Sequence, residues 1–494
     1  MEKKIVIRNI IFALLLQIIT MLSGFIIPKI ILSEFGSDVN GMIASSNQFL
    51  NYIQLLEGGL SGVIMAALYK PLNDNDYEKV SSIVSATQKF FRKIGLIYAI
   101  YAIGVALIYP IFVHINGFNY SYTVTLILVL AMNLFVQYFF SITYKILLNA
   151  DRKVFFVSLT QMIIIILNTV SVVFCARVFK DILVIKLFSA LIFFVQPIFF
   201  GTYVNKHFRL NTRAIPDEEA LKQRWNGFGV NLAYFIHTNT DMVILTLLST
   251  LANVSVYSVY LMIVNALKNL VMSISQAIVP SFGKTVATGE QEKMHDVFDK
   301  FEFIIYFIST VLFTSGMVLV TPFIDVYTMN IHDAEYHQKA FGIILTLAEM
   351  VYCIRDPYVS VSYSAGHFKQ IAKFAYIEAG MNIIISIVLV YKFGLIGISI
   401  GTLISMMYRM MAHICYIKKN IMFRTYRKAI KAFFVFGSIS CLCYLGITSF
   451  IDLSFTNYSS FFVYGIITGI IISLITTVLS LPFYRNTIKK VLCK

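Results

Sequence analysis

The sequence predicts an all-α integral membrane protein of about 14 transmembrane helices, arranged as two parallel six-helix lobes plus two C-terminal helices, with both termini cytoplasmic. Three observations carry that prediction. Apolar stretches recur from Asn9 to Pro482, most of them near the roughly 20 residues a helix needs to cross a ~30 Å hydrocarbon core. The 494 residues are 58% hydrophobic and only 13% charged, with a mean hydropathy of +0.78, which does not describe a soluble chain. The basic residues, finally, gather on alternate loops. A soluble enzyme, a secreted disulfide scaffold and a nucleic-acid binder are excluded by the same numbers.

Taken in order, with charges as boundaries, the spans fall near 9–32, 40–69, 90–114, 120–144, 154–176, 183–203, 225–249, 254–282, 301–325, 338–361, 370–391, 394–417, 430–450 and 459–483. The first has the length of a full span and no small-residue cleavage site behind it, so it reads as a retained helix. No soluble domain is expected beside the spans. With the N-terminus inside, 31 of the 40 Lys and Arg lie on inner segments and five on outer ones (Arg177, Lys180, Lys186, Lys339 and Lys392). The net charge of +15 is therefore mainly a topology signal, with attraction to anionic inner-leaflet lipid added. The six cysteines are scattered through apolar segments without metal-ligand spacing and read as small hydrophobes.

A weak internal repeat appears at a shift of about 215 residues. Ser33–Asn51 lies over Ser249–Leu267, with Gly41 against Tyr257, and Asn168 lies over Asn382. The shift spans six helices, an even number, so the two copies cross the membrane in the same direction. The expected lobes are 1–203 and 225–420, joined by a cytoplasmic linker at 204–224, with two additional helices and a cytoplasmic tail in 421–494.

Ionisable groups at membrane depth cost roughly 2.5–3.5 kcal/mol on insertion scales, so each is a functional candidate. In the second span Asn47, Asn51, Gln54, Gly58 and Ser61 recur at three- and four-residue steps on one face, with Glu57 at its edge. Such a stripe is expected to face a wet cavity, the bland alternative being hydrogen bonding between helices. The repeat-related eighth span carries Asn265, Lys268, Asn269, Ser273 and Gln276, and Lys268 falls near mid-membrane. The seventh places Tyr234, His237 and Asp241 on one face, where His and carboxylate form either a proton relay or a buried pair. The tenth adds Glu349, Tyr352, Arg355 and Asp356 just before Pro357, where a bend is expected, and the twelfth adds Tyr408 and Arg409. Arg355 and Asp356 are adjacent and so not expected to pair with each other. Lys29 and Glu378 sit near span ends, where a structural or snorkelling role competes evenly with a functional one. No phosphate loop, ATPase motif, metal-ligand spacing or nucleophile elbow is present in the sequence, so no catalytic residue is assigned.

The fourteen-span plan, LSGFIIPKIILSEFGSDVNGM at its opening, NQFLNYIQLLEGGL in the second span, NTDMVILTLLS in the seventh and SAGHFK before the eleventh resemble the multidrug/oligosaccharidyl-lipid/polysaccharide exporter superfamily. Within it the chain is similar to the bacterial Wzx-type flippases for O-antigen and capsular polysaccharide repeat units. The resemblance implies an undecaprenyl-diphosphate-linked oligosaccharide as substrate, moved from inner to outer leaflet of the bacterial cytoplasmic membrane by alternating access. It implies membrane lipid, a polysaccharide polymerase and glycosyltransferases as partners, and no enzymatic activity. On that reading Lys268, Arg355 and Arg409 face the diphosphate, and Asn47, Asn51, Gln54, Asn265 and Asn269 face sugar. Glu57, Asp241, Glu349, His237 and Asp356 are the candidates for H⁺ or Na⁺ coupling, with no other cofactor.

The lipid II flippases of the superfamily carry arginines in the first helix, where this chain has only Lys29. Its drug/cation antiporters usually place an acidic residue there, and 9–32 has none. A polysaccharide polymerase or lipid-sugar transferase would be expected to present a large loop or a carboxylate cluster at one face, whereas the outer connections near 326–337 and 451–458 are short. A scaffold for assembly enzymes leaves the mid-membrane charges without a purpose.

Overall fold

The computed structural model describes residues 2–57, 60–113, 117–211, 214–219, 228–288, 291–422, 425–450, 455 and 457–492. All regular structure among them is helical, and each of the fourteen predicted spans lies on helix over its described residues, four of them with internal breaks. Among the described residues, ten helices are long and apolar enough to cross a membrane. α14 (Phe368–Asn420) holds two predicted spans, and α1 (Glu2–Asn51) holds the first and the start of the second. Each bends at a glycine, Gly36 with φ 81° and Gly394 with φ 53°, conformations that a side chain would strain.

The second span departs from the expected continuous helix. After Asn51 the chain tightens into a 3₁₀ turn, Tyr52–Leu56, and α2 (Leu60–Asn73) starts afresh. The glycine pair of the EGG sequence at this break lies outside the described residues. The next helices begin where a side chain can accept a free backbone N–H. Asp76 accepts from Lys79 N at 3.0 Å to start α3 (Tyr77–Phe112), and Asn119 from Tyr122 N at 2.8 Å to start α4 (Tyr120–Val136). A π turn, Gln137–Ser141, links α4 to α5 (Ile142–Ala150), so the fourth span is one rod with a bulge. There follow α6 (Val154–Val178), α7 (Ile182–Phe193, capped by Asp181) and α8 (Val195–His207).

Beyond the segment 204–224 come α9 (Phe228–Leu248), α10 (Leu251–Thr288) and α11 (Gln291–Tyr327). The tenth span is broken into α12 (Lys339–Ile354) and α13 (Asp356–Ser364), with Arg355 at the joint and Pro357 in the first turn after it. Proline tolerates that position because its missing donor is unneeded there, and the expected bend is present. α14, α15 (Tyr426–Phe450) and α16 (Tyr458–Leu492) complete the chain.

The chain packs as two compact units. The first is Met1–Phe235 with Thr250–Ser255; the second is Ile236–Ser249 with Val256–Lys494. In the first, α1 runs along α6, and the core gathers Met42, Phe91, Tyr98, Leu126 and Leu147. In the second, α11 packs against α12, α15 and α16, and α12 against α14. Leu14, Ile100, Phe174 and Leu474 are exposed, an apolar exterior that suits lipid and not water. The protein is a multi-pass membrane protein.

The FGSDVNG segment has a packing role inside the first unit. Asn40 Nδ2 donates to Ser255 Oγ at 2.8 Å, and a Cβ on Gly41 would come within 2.0 Å of the Leu251 carbonyl oxygen. Only glycine lets the first turn of α10 approach so closely. The residues in contact are near-equivalents in the internal repeat.

Candidate functional site

The mid-membrane charges converge in the second unit. At its centre Glu378, on α14, is fully buried and accepts from both Arg355 Nη1, at 2.9 Å, and Arg409 Nη1. Arg355 comes from the α12–α13 joint, where the broken helix frees the side chain to turn inward, and Arg409 from the second half of α14. Both arginines are at most 4% exposed. The expectation that they line a wet cavity is therefore not met in this conformation: both close onto one carboxylate. Two cations share this one anion, with the carboxylate of Asp356 adjacent to Arg355, and close pairing makes the buried charges tolerable.

Next to this triad, Lys268 Nζ of α10 lies 3.0 Å from Glu349 Oε2 of α12. Tyr352, one turn on from Glu349, presents its ring to both cations. Lys268 Nζ is 5.1 Å and Arg355 Cζ 4.4 Å from its centroid, within cation–π range. Lys268 keeps 12% of its side chain exposed, three times the exposure of either arginine side chain. Asp356 turns away from Arg355, accepting from Ser275 Oγ of α10 and from Ser360 Oγ at 3.4 Å. The adjacent Arg and Asp thus serve different partners, as expected.

Asp241 of α9 stands apart from these ion pairs. It is 5% exposed, and its Oδ2 accepts from Tyr257 Oη at 3.1 Å and Thr402 Oγ1 at 2.7 Å. Thr402 in turn accepts from Asn382 Nδ2 at 3.0 Å. Asp241 Oδ1 and Asn382 Oδ1 are both buried without a hydrogen-bond partner among the described residues. A buried carboxylate from α9 thus meets a tyrosine hydroxyl from α10 and a threonine hydroxyl from the second half of α14, a setting in which its Oδ1 can take a proton or a small hard cation. Among the described residues no group of three His, Cys, Asp or Glu is gathered for a metal. The side chains of Tyr234 and His237 lie outside the described residues. Asn265 is half-buried and Asn269 exposed on α10, and neither joins the buried network.

In the first unit, Asn47 and Gln54 are exposed and Asn51 half-buried, while Leu50 and Ile53 between them are buried. Gln54 Nε2 donates to Asn51 Oδ1 of its own segment at 3.2 Å. Glu57, at the helix break, accepts from Ser61 Oγ at 2.6 Å and Tyr138 Oη at 3.4 Å, the tyrosine being held out by the π turn. Gly58 lies outside the described residues.

Glu378, Tyr257, Asn382 and Thr402 were not picked out from the sequence as site residues. Asn382 was visible only as a repeat mark. Its counterpart Asn168 accepts from Ser189 Oγ at 2.6 Å, whereas Asn382 donates to Thr402, so an asparagine–hydroxyl bond is present in both copies with its direction reversed.

Scans of family models and of curated proteins give no match to the chain. Solved structures do. The "Lipid II flippase MurJ, inward closed conformation" superposes with a TM-score of 0.74 at 16% identity, covering 97% of this chain and 100% of MurJ. An inward-facing multidrug resistance MATE family transporter of the MOP superfamily matches with TM-score 0.61 and 14% identity, covering 81% of this chain and 96% of its own. The eukaryotic MATE transporter AtDTX14 gives 0.59 at 13% identity, over 87% and 98%. The fold is that of MurJ and the MATE transporters. Coverage of 97% leaves no room to omit α15 and α16, whereas coverage of 81–87% does.

Proposed function

We propose that this protein is a flippase that carries an undecaprenyl-diphosphate-linked oligosaccharide from the inner to the outer leaflet of the bacterial cytoplasmic membrane, by ion-coupled alternating access. The observation that carries the proposal is the end-to-end likeness to the structure of a lipid II flippase, which takes in the two C-terminal helices. The charged second unit supports it. Lys268, partly exposed and held by one carboxylate, is the group placed to take a phosphate oxygen in exchange for Glu349. Arg355 and Arg409 are paired to Glu378 in this conformation and would meet a diphosphate only when that pairing opens.

Asn47 and Gln54 are exposed, and Gln54 bonds to Asn51 of its own segment, which supports the wet-face reading with amide groups for sugar hydroxyls over helix-to-helix bonding. Asn265 and Asn269 are assigned to the same sugar contact. For coupling, Asp241 with Thr402 and Asn382 takes precedence over Glu57, Glu349, His237 and Asp356, because its carboxylate is buried on hydroxyl donors and not on a cation, as Glu349 is. First-helix composition favours an oligosaccharide over lipid II, since 9–32 holds no arginine. The product passes to a polysaccharide polymerase, after glycosyltransferases have built the repeat on the inner face.

Depletion of the protein followed by leaflet-resolved analysis of lipid-linked sugars tests the assignment. Build-up of lipid-linked oligosaccharide on the inner leaflet is expected. Build-up of unpolymerised repeats on the outer leaflet would identify a polymerase, and build-up of peptidoglycan precursor a lipid II flippase.

A further inference from the structure

A second polar cavity, of about 210 Å³, opens among α11, α15 and α16 in the second unit, apart from the charged network described above. Its lining is mixed in charge: Asp299 and Glu302 from α11, Lys428 and Lys431 from α15, and Phe483 and Tyr484 from α16. The charges are ordered by depth. Glu302 is 3% exposed and accepts from Tyr358 Oη at 2.6 Å, and Asp299 is half-buried. Both lysines are exposed. Lys428 Nζ lies 3.5 Å from Asp299 Oδ2, and Lys431 Nζ rests 5.0 Å over the Phe483 ring. The floor is thus acidic and aromatic, and the rim is cationic.

The surroundings say which phase the cavity faces. Phe483 lines it and is 49% exposed, and Leu481 and Phe434 nearby are 41% and 65% exposed, an apolar surface of the kind that meets acyl chains. The first turn of α15 carries Arg427 and the end of α16 carries Arg485 beside the two lysines, which places the cavity at the inner membrane interface by the basic-residue rule.

We infer that this cavity binds the headgroup of a zwitterionic aminophospholipid, such as phosphatidylethanolamine, from the inner leaflet. The order of charges matches the ligand. Entering from the bilayer, the distal ammonium reaches Glu302, Asp299 and the Tyr484 ring, the phosphate stops at Lys428 and Lys431, and the chains stay along Phe483 and Leu481. Phosphatidylglycerol would set the same phosphate at the lysines but a neutral glycerol at the two carboxylates, and the missing ammonium contact sets the selectivity. Tyr358, which binds Glu302, lies on α13 three residues beyond Arg355, so an occupied site also braces the helix that follows the charged joint.

The purified full-length protein, delipidated in detergent, is titrated with phosphatidylethanolamine, phosphatidylglycerol and soluble phosphoethanolamine, with binding read by native mass spectrometry and thermal unfolding. Phosphatidylethanolamine is expected to bind about tenfold more tightly than phosphatidylglycerol, the worth of one charge-assisted contact. Asp299→Asn and Glu302→Gln should each erase that preference, and Lys431→Ala should weaken both lipids alike. Should Glu302→Gln fail to fold, Asp299→Asn decides alone. Equal binding of the two lipids, a preference for phosphatidylglycerol, or selectivity unchanged in Asp299→Asn would overturn the proposal. Full competition by soluble phosphoethanolamine at lipid concentrations would overturn the membrane source.

Discussion

Both units place an asparagine–hydroxyl hydrogen bond at the same point of the repeat, Asn168 with Ser189 in the first and Asn382 with Thr402 in the second, but they set different side chains beside it. In the second unit that neighbour is Asp241. At the repeat shift, the first unit has Phe25, Ile26 and Ile27 in its place. The contrast extends to the rest of the interior. The second unit buries Glu349, Arg355, Glu378 and Arg409, whereas Glu57 of the first stands half-exposed at a helix break. A duplicated helix pattern fixes the packing in both copies, and the costly buried charges were kept in one. The lesson is that scaffold and chemistry separate along the repeat: what recurs is structural, and what does not recur is the candidate for function.

The largest expected effect tests the buried triad. Glu378→Ala leaves Arg355 and Arg409 facing each other without an anion and should cost about 3–5 kcal/mol, read as a collapse of folded yield or of thermal unfolding temperature in detergent. The matching change Glu57→Ala in the first unit should cost less than about 1 kcal/mol, because that carboxylate is partly solvated. Equal losses would erase the contrast between units. Within the first unit, Gly41→Ala should destabilise by about 1–3 kcal/mol through the Leu251 carbonyl. Gly24→Ala, where nothing lies within 4 Å, should be neutral or slightly stabilising.

A smaller effect sharpens the comparison at the repeated asparagines. If the Asp241 group binds the coupling ion, stabilisation of the purified protein by Na⁺ or by protons should vanish in Asp241→Asn and fall about tenfold in apparent affinity in Asn382→Ala. Asn168→Ala should leave it intact; an equal loss there would show that the ion effect is not local to Asp241. Smallest of all, Asn47→Ala and Gln54→Ala should shift unfolding by no more than about 0.5 kcal/mol, since both side chains are exposed, while lowering surface polysaccharide. A large stability loss would mean that the stripe is structural.

Much of the helical plan was legible because membrane spans are written in hydropathy, and a charge inside one stands out against its neighbours. Asp241, Lys268, Glu349, Arg355 and Arg409 were visible for that reason. Their partners were harder to see. Glu378 lay near a predicted span end, where snorkelling is an ordinary explanation, and only the bend at Gly394 and the α12–α13 break bring it between two arginines. Tyr257 and Thr402 look like common membrane residues, and their convergence on Asp241 depends on three helices distant in sequence. The break after Asn51 was not legible because polar residues recur at helical spacing across it, the pattern of one continuous helix.

The account rests most directly on translocation itself. Purified protein is reconstituted into vesicles with a fluorescent undecaprenyl-diphosphate oligosaccharide, and an ion gradient is imposed. Movement of the sugar across the bilayer is expected with the native chain, with at least about a tenfold loss in Lys268→Ala and loss of the gradient's effect in Asp241→Asn. Equal rates in protein-free vesicles, or full gradient-driven movement in both variants at normal protein levels, would contradict it.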